Sequence, residues 1–517
     1  MTLTRSIPIV DLFAGPGGLG EGFTSLKDGR AFKIAVSAEM DTNAHKTLRL
    51  RAFYRILKKQ GGKALESYYD FCNGVSEEPF NASTIQAWKE SGEEAQLLTL
   101  GISKDNDSLR KIINKCKINS NSPWVLIGGP PCQAYSLVGR SRNLGKENYI
   151  AEDDHRHYLY REYLKIIQEF KPSVFVMENV KGILSSKVDN KRIFHTILTD
   201  LCNPDKALGK IEGLGYRIHS VTVPTVFHKG LDPEQIDVKD FVVKSEEYGI
   251  PQSRHRVILL GVREDLIKYP YMLEKVNRTT VSEVIEDLPV LRSKLSKEPD
   301  SALNWSMAVE KHLSELLIES QKFPSLKDLT DYFETIINKI NKTAVSGSLR
   351  MKQMNEKFEL ETKYNRNWYV DKRLKVWLNH ETRGHMNSDL RRYLYASSFA
   401  HVYGVSPKGH QQFNLPGLAP NHVNWESGIF SDRFRVQLKN KPATTITSHI
   451  SKDGHYFIHP DPTQCRSLTV REAARLQTFP DNYFFQGNRT QQFHQVGNAV
   501  PPQLANLIAS VVISILF

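Results

Sequence analysis

The chain has 517 residues, of which 40% are hydrophobic and 24% are charged. This is an ordinary globular composition, and the length predicts about three domains. The net charge of +12 favours an anionic partner, of which nucleic acid is the commonest. Five scattered cysteines form no CxxC pair, so the sequence indicates neither a disulfide framework nor a zinc site, and we expect a reducing intracellular compartment.

The first 265 residues alternate between short apolar runs and amphipathic segments. Residues 154–170 repeat apolar side chains every three or four positions, which predicts a helix with one buried face. Such alternation predicts an α/β fold, with a mostly parallel sheet covered by helices on both faces. The apolar runs that we expect to form strands are 7–13, 32–40, 122–129, 172–180, 217–225 and 254–262.

A glycine-rich loop, AGPGGLG at residues 14–20, follows the first apolar run, and Glu39 lies near the end of the second. The loop satisfies the pattern G-x-G-x-x-G, in which glycines let the backbone approach a ligand and the acidic residue binds ribose hydroxyls. NAD, FAD and S-adenosylmethionine all suit this arrangement, and a tight structural turn would also produce it. The loop alone therefore indicates a nucleoside cofactor without choosing one.

A cysteine directly follows two prolines in the stretch GGPPCQAYS, residues 128–136. A buried cysteine is usually an inert small hydrophobe. However, Pro130 and Pro131 fix φ and lack N–H groups, so they cannot extend a strand ladder. The prolines predict that the strand ends here and that Cys132 is directed away from the core.

Six segments, in order and with similar spacing, resemble the motifs of the DNA cytosine-5 methyltransferases. The resemblance covers roughly the first 265 and the last 80 residues. It implies an α/β, Rossmann-like S-adenosylmethionine-dependent methyltransferase with a smaller inserted target-recognition domain. We expect a catalytic and cofactor-binding domain at 1–265, a target-recognition domain at 266–489 and a returning C-terminal segment at 490–517. The segments are DLFAGPGGLGEGF (11–23), GGPPCQAYS (128–136), ENVKG (178–182), QSRHR (252–256), RSLTVREAARLQTFPD (466–481) and HQVGNAVPPQLA (494–505).

The resemblance assigns catalytic roles to four residues. Cytosine C5 is a poor nucleophile, so an enzyme must first add a group at C6, and a thiolate suits that covalent step. Cys132 would be this nucleophile, and Glu178 would meet the charge that develops at N3. Arg254 and Arg256 would orient the glutamate and bind the base at O2. A cytosine within a duplex must also be flipped out before it can react.

The resemblance likewise implies a cofactor site for S-adenosyl-L-methionine. Glu39 would bind the ribose and Met40 would lie beside the adenine. The aspartate that usually follows the third strand has no clear counterpart, since Asp105 and Asp107 lie beyond the expected position, and this contact stays unassigned. Residues 51–94 have the character of an insertion. The remaining cofactor-binding candidates are Phe13, Ala14, Gly15, Gly17, Gly18, Pro130, Asn498, Ala499 and Val500.

For the DNA interface, the loop 133–153 is basic and contains glycine, and by resemblance it closes over a flipped base. A second basic region lies at 379–394 and would suit phosphate contacts, although basic surface helices are often only solvated. The candidates for DNA binding are Gln133, Ser136, Arg140, Arg142, Gln252, Arg383, Arg391 and Arg392.

The predicted partner is double-stranded DNA, and we expect a monomer without a metal ion or membrane attachment. The apolar C-terminus, 504–517, falls short of the ~20 residues needed to span a bilayer and is expected to pack on the core. The predicted location is the bacterial cytoplasm, associated with the nucleoid through DNA. A cognate restriction endonuclease would be a genetic rather than a physical partner.

Three alternatives stay open from the sequence. An NAD-dependent oxidoreductase would account for the glycine loop and Glu39, but it leaves Cys132, Glu178 and Arg256 unexplained. A DNA-binding homologue without methylation activity is disfavoured by those intact residues. The tRNA cytosine-5 methyltransferases of the same family are disfavoured less firmly, by the long middle region and the basic charge.

Overall fold

All six predicted apolar runs contribute strands to one sheet. The run 217–225 contributes only a short strand, which pairs with the strand from the run 254–262. The structure is a computed structural model that describes residues 6–116, 118, 122–131, 159–188, 191–353, 366–420, 425, 433–452 and 454–517. The strands are β1 Ile7–Leu12, β2 Phe32–Glu39, β3 Ala95–Leu97, β4 Val125–Gly128, β5 Val174–Val180, β6 Lys187–Val188, β7 Lys191–Arg192, β8 Tyr216–His219, β9 Val226–Phe227, β10 Val242–Lys244, β11 Gln252–Ser253, β12 His255–Arg263, β13 Lys294–Leu295, β14 Gly347–Lys352, β15 Val376–Glu381, β16 Gly384–His385 and β17 Ala443–Thr444.

The described helices vary from one turn to five. The α-helices are α1 Gly18–Ser25, α2 Thr42–Gln60, α3 Glu66–Asn73, α4 Ile85–Glu94, α5 Ser103–Lys115, α6 Leu159–Phe170, α7 Ile193–Cys202, α8 Pro204–Ala207, α9 Ser282–Ile285, α10 Ala302–Ser320, α11 Lys327–Ile336, α12 Arg366–Tyr369, α13 Asn387–Tyr403, α14 Gly409–Gln412, α15 Val470–Leu476, α16 Arg489–Asn498 and α17 Pro502–Leu516. The 3-10 helices are Gly62–Leu65, Lys181–Ser185, Pro233–Gln235, Val238–Phe241, Ser245–Tyr248, Pro324–Leu326, Ile337–Lys339, Ser448–Ser451, His455–Phe457 and Pro462–Gln464.

The chain divides into two compact units. Unit 1 contains residues 1–68, 78–277 and 499–517, and unit 2 contains residues 69–77 and 278–498. These boundaries lie near the predicted ones, after residues 265 and 489, but the short segment 69–77 has no signal in the sequence. That unit 2 is a target-recognition domain stays a prediction.

Unit 1 is built on a sheet with the strand order β3-β2-β1-β4-β5-β12-β8-β9, to which β10 adds beside β12. The strands β3, β2, β1, β4 and β5 run parallel to one another. From β12 onward the pairing is antiparallel, because β12 pairs antiparallel with β5, β8 and β10. The fold is therefore α/β, with the predicted parallel arrangement in its first five strands.

Helices cover both faces of this sheet, because its strands are apolar on both sides. Tyr163 of α6 and Phe194 of α7 are buried in the core on one face. Phe23 of α1 and Leu504 of α17 are buried in the core on the other. As predicted, the C-terminal apolar segment packs on the core: Asn506 Nδ2 donates a hydrogen bond to the Gly22 carbonyl at 3.0 Å.

The segment Arg489–Leu516 is long and apolar enough to span a membrane by length and composition, yet 72% of its most apolar window is buried in the protein. It is also interrupted, because α16 ends at Asn498 and α17 begins at Pro502. A mostly buried segment of this kind is weak evidence for a membrane span and has the character of a core helix.

Unit 2 has a helical core in which Trp305 of α10, Phe333 of α11 and Leu394 of α13 are fully or nearly fully buried. Beside it, the arginines of RSLTVREAARLQTFPD form a buried ionic network. Arg466 binds both oxygens of Glu472 at 2.8 and 2.6 Å, and Arg475 binds both oxygens of Asp481 at 2.9 and 2.8 Å. In these buried ion pairs, the charge of each arginine is balanced by a carboxylate of the same segment of unit 2.

Candidate active site

The candidate active site lies at one edge of the unit 1 sheet. Because β1, β2, β4 and β5 are parallel, their C-terminal ends meet at the same edge, which is where ligands bind in open α/β sheets. The glycine loop follows β1, Glu39 ends β2, and the two prolines follow β4. Glu178 lies near the C-terminal end of β5. The sheet therefore brings together four segments that are distant in sequence.

Glu178 and Arg256 form an ion pair at this edge. Arg256 Nε lies 2.8 Å from Glu178 Oε1, and the side chains of Arg256 and Glu178 are only 11% and 13% exposed. In the antiparallel pairing of β5 with β12, Arg256 lies opposite Val180 and Ile258 opposite Glu178. Arg256 and Glu178 are thus diagonal neighbours on one face of the sheet, where long side chains can meet.

Arg254 lies just before β12 and is 1% exposed. Its carbonyl oxygen accepts a hydrogen bond from the Ser245 backbone N–H at 3.2 Å. Burial and the neighbouring Arg256 guanidinium lower the pKa of Arg254 well below its ordinary value, whereas the Glu178 carboxylate acts in the opposite direction. Arg254 is therefore electrostatically coupled to the Glu178–Arg256 pair.

The turn after β4 packs directly against the glutamate. A Cβ at Gly129 would lie 2.9 Å from Glu178 Oε2, so only a glycine leaves room for the carboxylate there. Asn179 Nδ2 donates to the Pro130 carbonyl at 3.2 Å and fixes the position of the turn. Sequence reasoning did not select Gly129 and Asn179, although both lie within quoted motifs, GGPPCQAYS and ENVKG. Cys132 itself lies outside the described residues, which end at Pro131 on this side.

In the glycine loop, three residues have positive φ: Phe13 at 56°, Gly15 at 58° and Gly17 at 98°. The Gly15 backbone N–H donates to Glu39 Oε2 at 2.7 Å, and the Asp41 N–H donates to Oε1 at 2.7 Å. Glu39 therefore holds the loop against the end of β2. Burial raises the pKa of Glu39, and the two backbone hydrogen bonds oppose that effect. Ala14 is half-buried, with its N–H bonded to the Ala38 carbonyl.

The C-terminal segment closes against this loop. A Cβ at Gly18 would lie 2.3 Å from the Val500 carbonyl oxygen, and Ala499 and Val500 are buried. Asn498 belongs to unit 2, where it is exposed and its Nδ2 lies 3.2 Å from His494 Nδ1. Met40 is 60% exposed at the end of β2.

Asp11, in β1 just before the glycine loop, is a residue that sequence reasoning did not select. It is fully buried, and neither carboxylate oxygen has a hydrogen-bond partner among the described residues. Burial raises the pKa of Asp11 to about 8; Arg55 opposes this shift, and Glu39 and Glu94 add to it. Asp11 therefore carries a proton at neutral pH.

Arginines of α2 support the helix that follows the glycine loop. Arg51 of α2 binds Glu21 of α1 through two hydrogen bonds, Nε to Oε2 at 2.8 Å and Nη2 to Oε1 at 2.6 Å, and both side chains are buried. Arg55 contacts Glu21 and Glu94. Glu21 of the first motif is thus held by Arg51 and Arg55 of α2, which the sequence did not predict. That residues 51–94 are an insertion stays a prediction.

The residues predicted to bind DNA divide into four groups, of which Arg391 and Arg392 form the last. Gln133, Ser136, Arg140 and Arg142 lie outside the described residues. Gln252 is fully buried, so this structure offers no surface of it to DNA. Arg383 is half-buried and lines a polar cavity of unit 2.

The predicted phosphate contacts of Arg391 and Arg392 are corrected by the structure. Arg391 binds Glu315 Oε2 at 2.8 Å and Glu319 Oε2 at 2.6 Å. Arg392 binds Asp389 Oδ1 at 2.9 Å and donates to two backbone carbonyls. Both are buried, at 5% and 8% exposure, so their guanidinium groups stabilise α13 within unit 2 and are not available to a DNA phosphate.

Comparison with known proteins agrees with this geometry. Residues 98–514 match the family described as C-5 cytosine-specific DNA methylase. The Type II methyltransferase M.Bpa9945I of Bacillus paralicheniformis is 33% identical over 98% of this chain and 98% of its own. The Type II methyltransferase M.AgeI of Thalassovita gelatinovora is 26% identical over 97% of this chain and 98% of its own. M.DdeI of Desulfomicrobium norvegicum is 25% identical over 76% of this chain and 73% of its own.

The α/β sheet and the clustered motif residues define a methyltransferase of the class that modifies cytosine. The chain belongs to the C-5 cytosine-specific DNA methylase family, and its activity is DNA (cytosine-5-)-methyltransferase. The NAD-dependent oxidoreductase considered from the sequence is therefore wrong.

Proposed function

We propose that the protein transfers a methyl group from S-adenosyl-L-methionine to C5 of a cytosine flipped out of double-stranded DNA, through a covalent bond between Cys132 and C6. We further propose that it is the modification enzyme of a Type II restriction–modification system, as the printed names of its relatives describe them. The observation that carries the mechanism is the buried Glu178–Arg256 pair, packed against the turn that leads into Cys132.

The residues around the glycine loop fit the proposed methyl donor. Methyltransferases of this family use S-adenosylmethionine. A Cβ at Gly15 would meet nothing within 4 Å, so the loop leaves open space beside its backbone. The Gly15 N–H is already bonded to Glu39, which leaves it less suited to the pyrophosphate of a dinucleotide. Glu39 would bind the ribose, and exposed Met40 would pack on the adenine.

When bound, S-adenosylmethionine would supply an electrophilic methyl group on a sulfonium. The rest of the chemistry falls to the protein's own side chains. The Cys132 thiolate forms a bond to C6, and the ring electrons move toward C5. Glu178 meets the charge at N3 by hydrogen bonding or proton donation, while Arg256 holds the carboxyl in place. After C5 is methylated, loss of the C5 proton and elimination of the Cys132 thiolate restore the ring.

The mechanism is tested by the change Cys132→Ser, which should abolish methyl transfer while DNA binding persists. Cys116→Ser is the matched control, because Cys116 is exposed and lies outside the site, and this variant should stay fully active. DNA carrying 5-fluorocytosine should trap a denaturation-resistant adduct with the wild-type protein, because fluorine cannot leave as the C5 proton does. Undiminished turnover of Cys132→Ser, or no adduct with wild type, would overturn the covalent step.

The substrate is tested by bisulfite sequencing of DNA from cells that express the chain. We expect 5-methylcytosine in one sequence context. Bisulfite sequencing of RNA from the same cells should show no new modification. Modified tRNA with unmodified DNA would instead place the protein in the tRNA-methylating branch. Protection of the cellular DNA from one restriction endonuclease would support the restriction–modification role.

A further inference from the structure

A polar cavity of about 200 Å³ lies within unit 2. Two segments form most of its wall. One is the turn that leads into the N-terminus of α13, and the other follows the 3-10 helix Ser448–Ser451. We call it the unit 2 cavity; the side chains that matter for its chemistry are Arg383, His385, Asp389, Tyr393, Lys452 and His455.

The wall is held in a fixed shape by contacts between the two segments. Arg383 Nη2 donates to the Ile450 carbonyl at 2.8 Å. A Cβ at Gly454 would lie 2.8 Å from Ser467 Oγ and 3.3 Å from Arg383 Cδ, so the close approach of the segments needs a glycine. The fully buried Tyr393 places its hydroxyl 2.7 Å from His455 Nδ1 and 3.5 Å from His385 Nδ1.

The cavity is positively charged. Arg383 and Lys452 contribute permanent charges, and Lys452 is exposed at the rim. Burial lowers the pKa of His385 well below its ordinary value, and Arg383, His455, Arg489 and Arg466 lower it further. His385 is therefore neutral in a positive field. The one carboxylate in the wall, Asp389, is bonded to Arg392 at 2.9 Å.

The N-terminus of α13 adds to this field. The helix has 17 residues, and its N-cap, Met386, supplies no side-chain hydrogen bond to the first turn. Uncapped N–H groups and the helix dipole favour an anion at such an end. The helix end and the two permanent charges favour a bound anion, and the polar wall favours one that accepts hydrogen bonds. A phosphate group has both properties.

We propose that the unit 2 cavity binds one phosphate of the DNA backbone, with Lys452 and Arg383 as its positively charged contacts. This inference rests on the proposed function, because it takes double-stranded DNA as the substrate. Phosphate contacts fix the orientation of a protein on the duplex without reading its sequence. The cavity would therefore position DNA and leave the choice of cytosine to other residues.

The experiment measures binding of a labelled mixed-sequence duplex to the full chain over a range of salt concentrations. Lys452→Ala should weaken binding about tenfold, the loss expected for one charge-assisted hydrogen bond. It should also reduce the slope of log K against log salt by about 0.9, which is the effect of one phosphate contact. Lys322→Ala is the matched control, because Lys322 is exposed in unit 2 and does not line the cavity. Lys322→Ala should keep the affinity, the salt slope and the turnover of wild type.

An unchanged slope in Lys452→Ala, with wild-type protein that methylates cytosine, would overturn the phosphate site and leave the proposed function standing. A reduced slope with wild-type protein that makes no 5-methylcytosine would leave the site and overturn the proposed function. Inorganic phosphate, titrated at constant ionic strength, should compete with the duplex in wild type and lose that effect in Lys452→Ala. Phosphate that stabilises the wild type without displacing the duplex would show a site for free phosphate, against the proposal.

Discussion

The change Asp11→Asn should make unit 1 less sensitive to rising pH. Asp11 has its ordinary pKa of 3.8 when unfolded and a pKa of about 8 when folded, so between these values only the folded state holds the proton. The free energy of unfolding then falls as pH rises, by about 1.4 kcal/mol per pH unit, because in this range the folded state binds one proton more than the unfolded state. From about pH 5.5 to about pH 8 the loss reaches about 3 kcal/mol.

Asparagine has nearly the same shape and does not titrate, so the variant lacks this loss. The free energy of unfolding of Asp11→Asn minus that of wild type should rise by about 3 kcal/mol over the same interval. Hydrogen–deuterium exchange of peptides from β1 and β2 reports this local free energy in unit 1. Asp28→Asn is the control, because the Asp28 side chain is 90% exposed, and its difference from wild type should be nearly constant. A constant difference for Asp11→Asn as well would refute the assignment of a protonated, unpartnered carboxyl.

Three further changes have expected outcomes. Gly18→Ala should weaken binding of S-adenosylmethionine about tenfold, as measured by calorimetry. The added Cβ would lie 2.3 Å from the Val500 carbonyl oxygen, and overpacking of this kind costs about 1–3 kcal/mol. Unchanged affinity would count against closure of the loop by the C-terminal segment. Glu178→Gln should lower kcat by about 10²–10⁴ with unchanged cofactor affinity, and a wild-type kcat would remove Glu178 from the mechanism. Arg391→Ala should destabilise unit 2 by about 1–2 kcal/mol, because it removes hydrogen bonds to the partly exposed carboxylates of Glu315 and Glu319. It should leave the salt dependence of DNA binding unchanged, and a reduced slope would restore Arg391 as a phosphate contact.

Much of unit 1 could be predicted because its signals are local. Strands β1, β2, β4 and β5 lie within predicted apolar runs, β12 extends one residue beyond its run, and β8 overlaps the start of another. Glu178 near the end of β5 meets Arg256 near the start of β12 only because the two strands are antiparallel. That direction had no sequence signal, because an apolar run does not show which way a strand runs in its sheet.

The failures come from partners that are distant in sequence. Arg391 and Arg392 look like surface arginines in a basic stretch, but the carboxylates that bind Arg391 come from α10, 76 and 72 residues earlier. Arg51 forms an ion pair with Glu21 of the first motif, which lies 30 residues earlier in the sequence. Local composition cannot show whether a charge faces solvent or a buried counter-charge.

The packing of α17 on α1 bears on how the protein is made. Asn506 reaches Gly22 across 484 residues of sequence, so the glycine loop leaves the ribosome long before the helix that completes its surroundings. At ordinary elongation rates of about 5–20 residues per second, this interval lasts about 25–100 s. A nascent or truncated chain lacks the segment against which Gly18 and Gly22 pack. The packing of the glycine loop therefore depends on α17, and a nascent chain that has not yet reached this helix lacks part of the loop's surroundings.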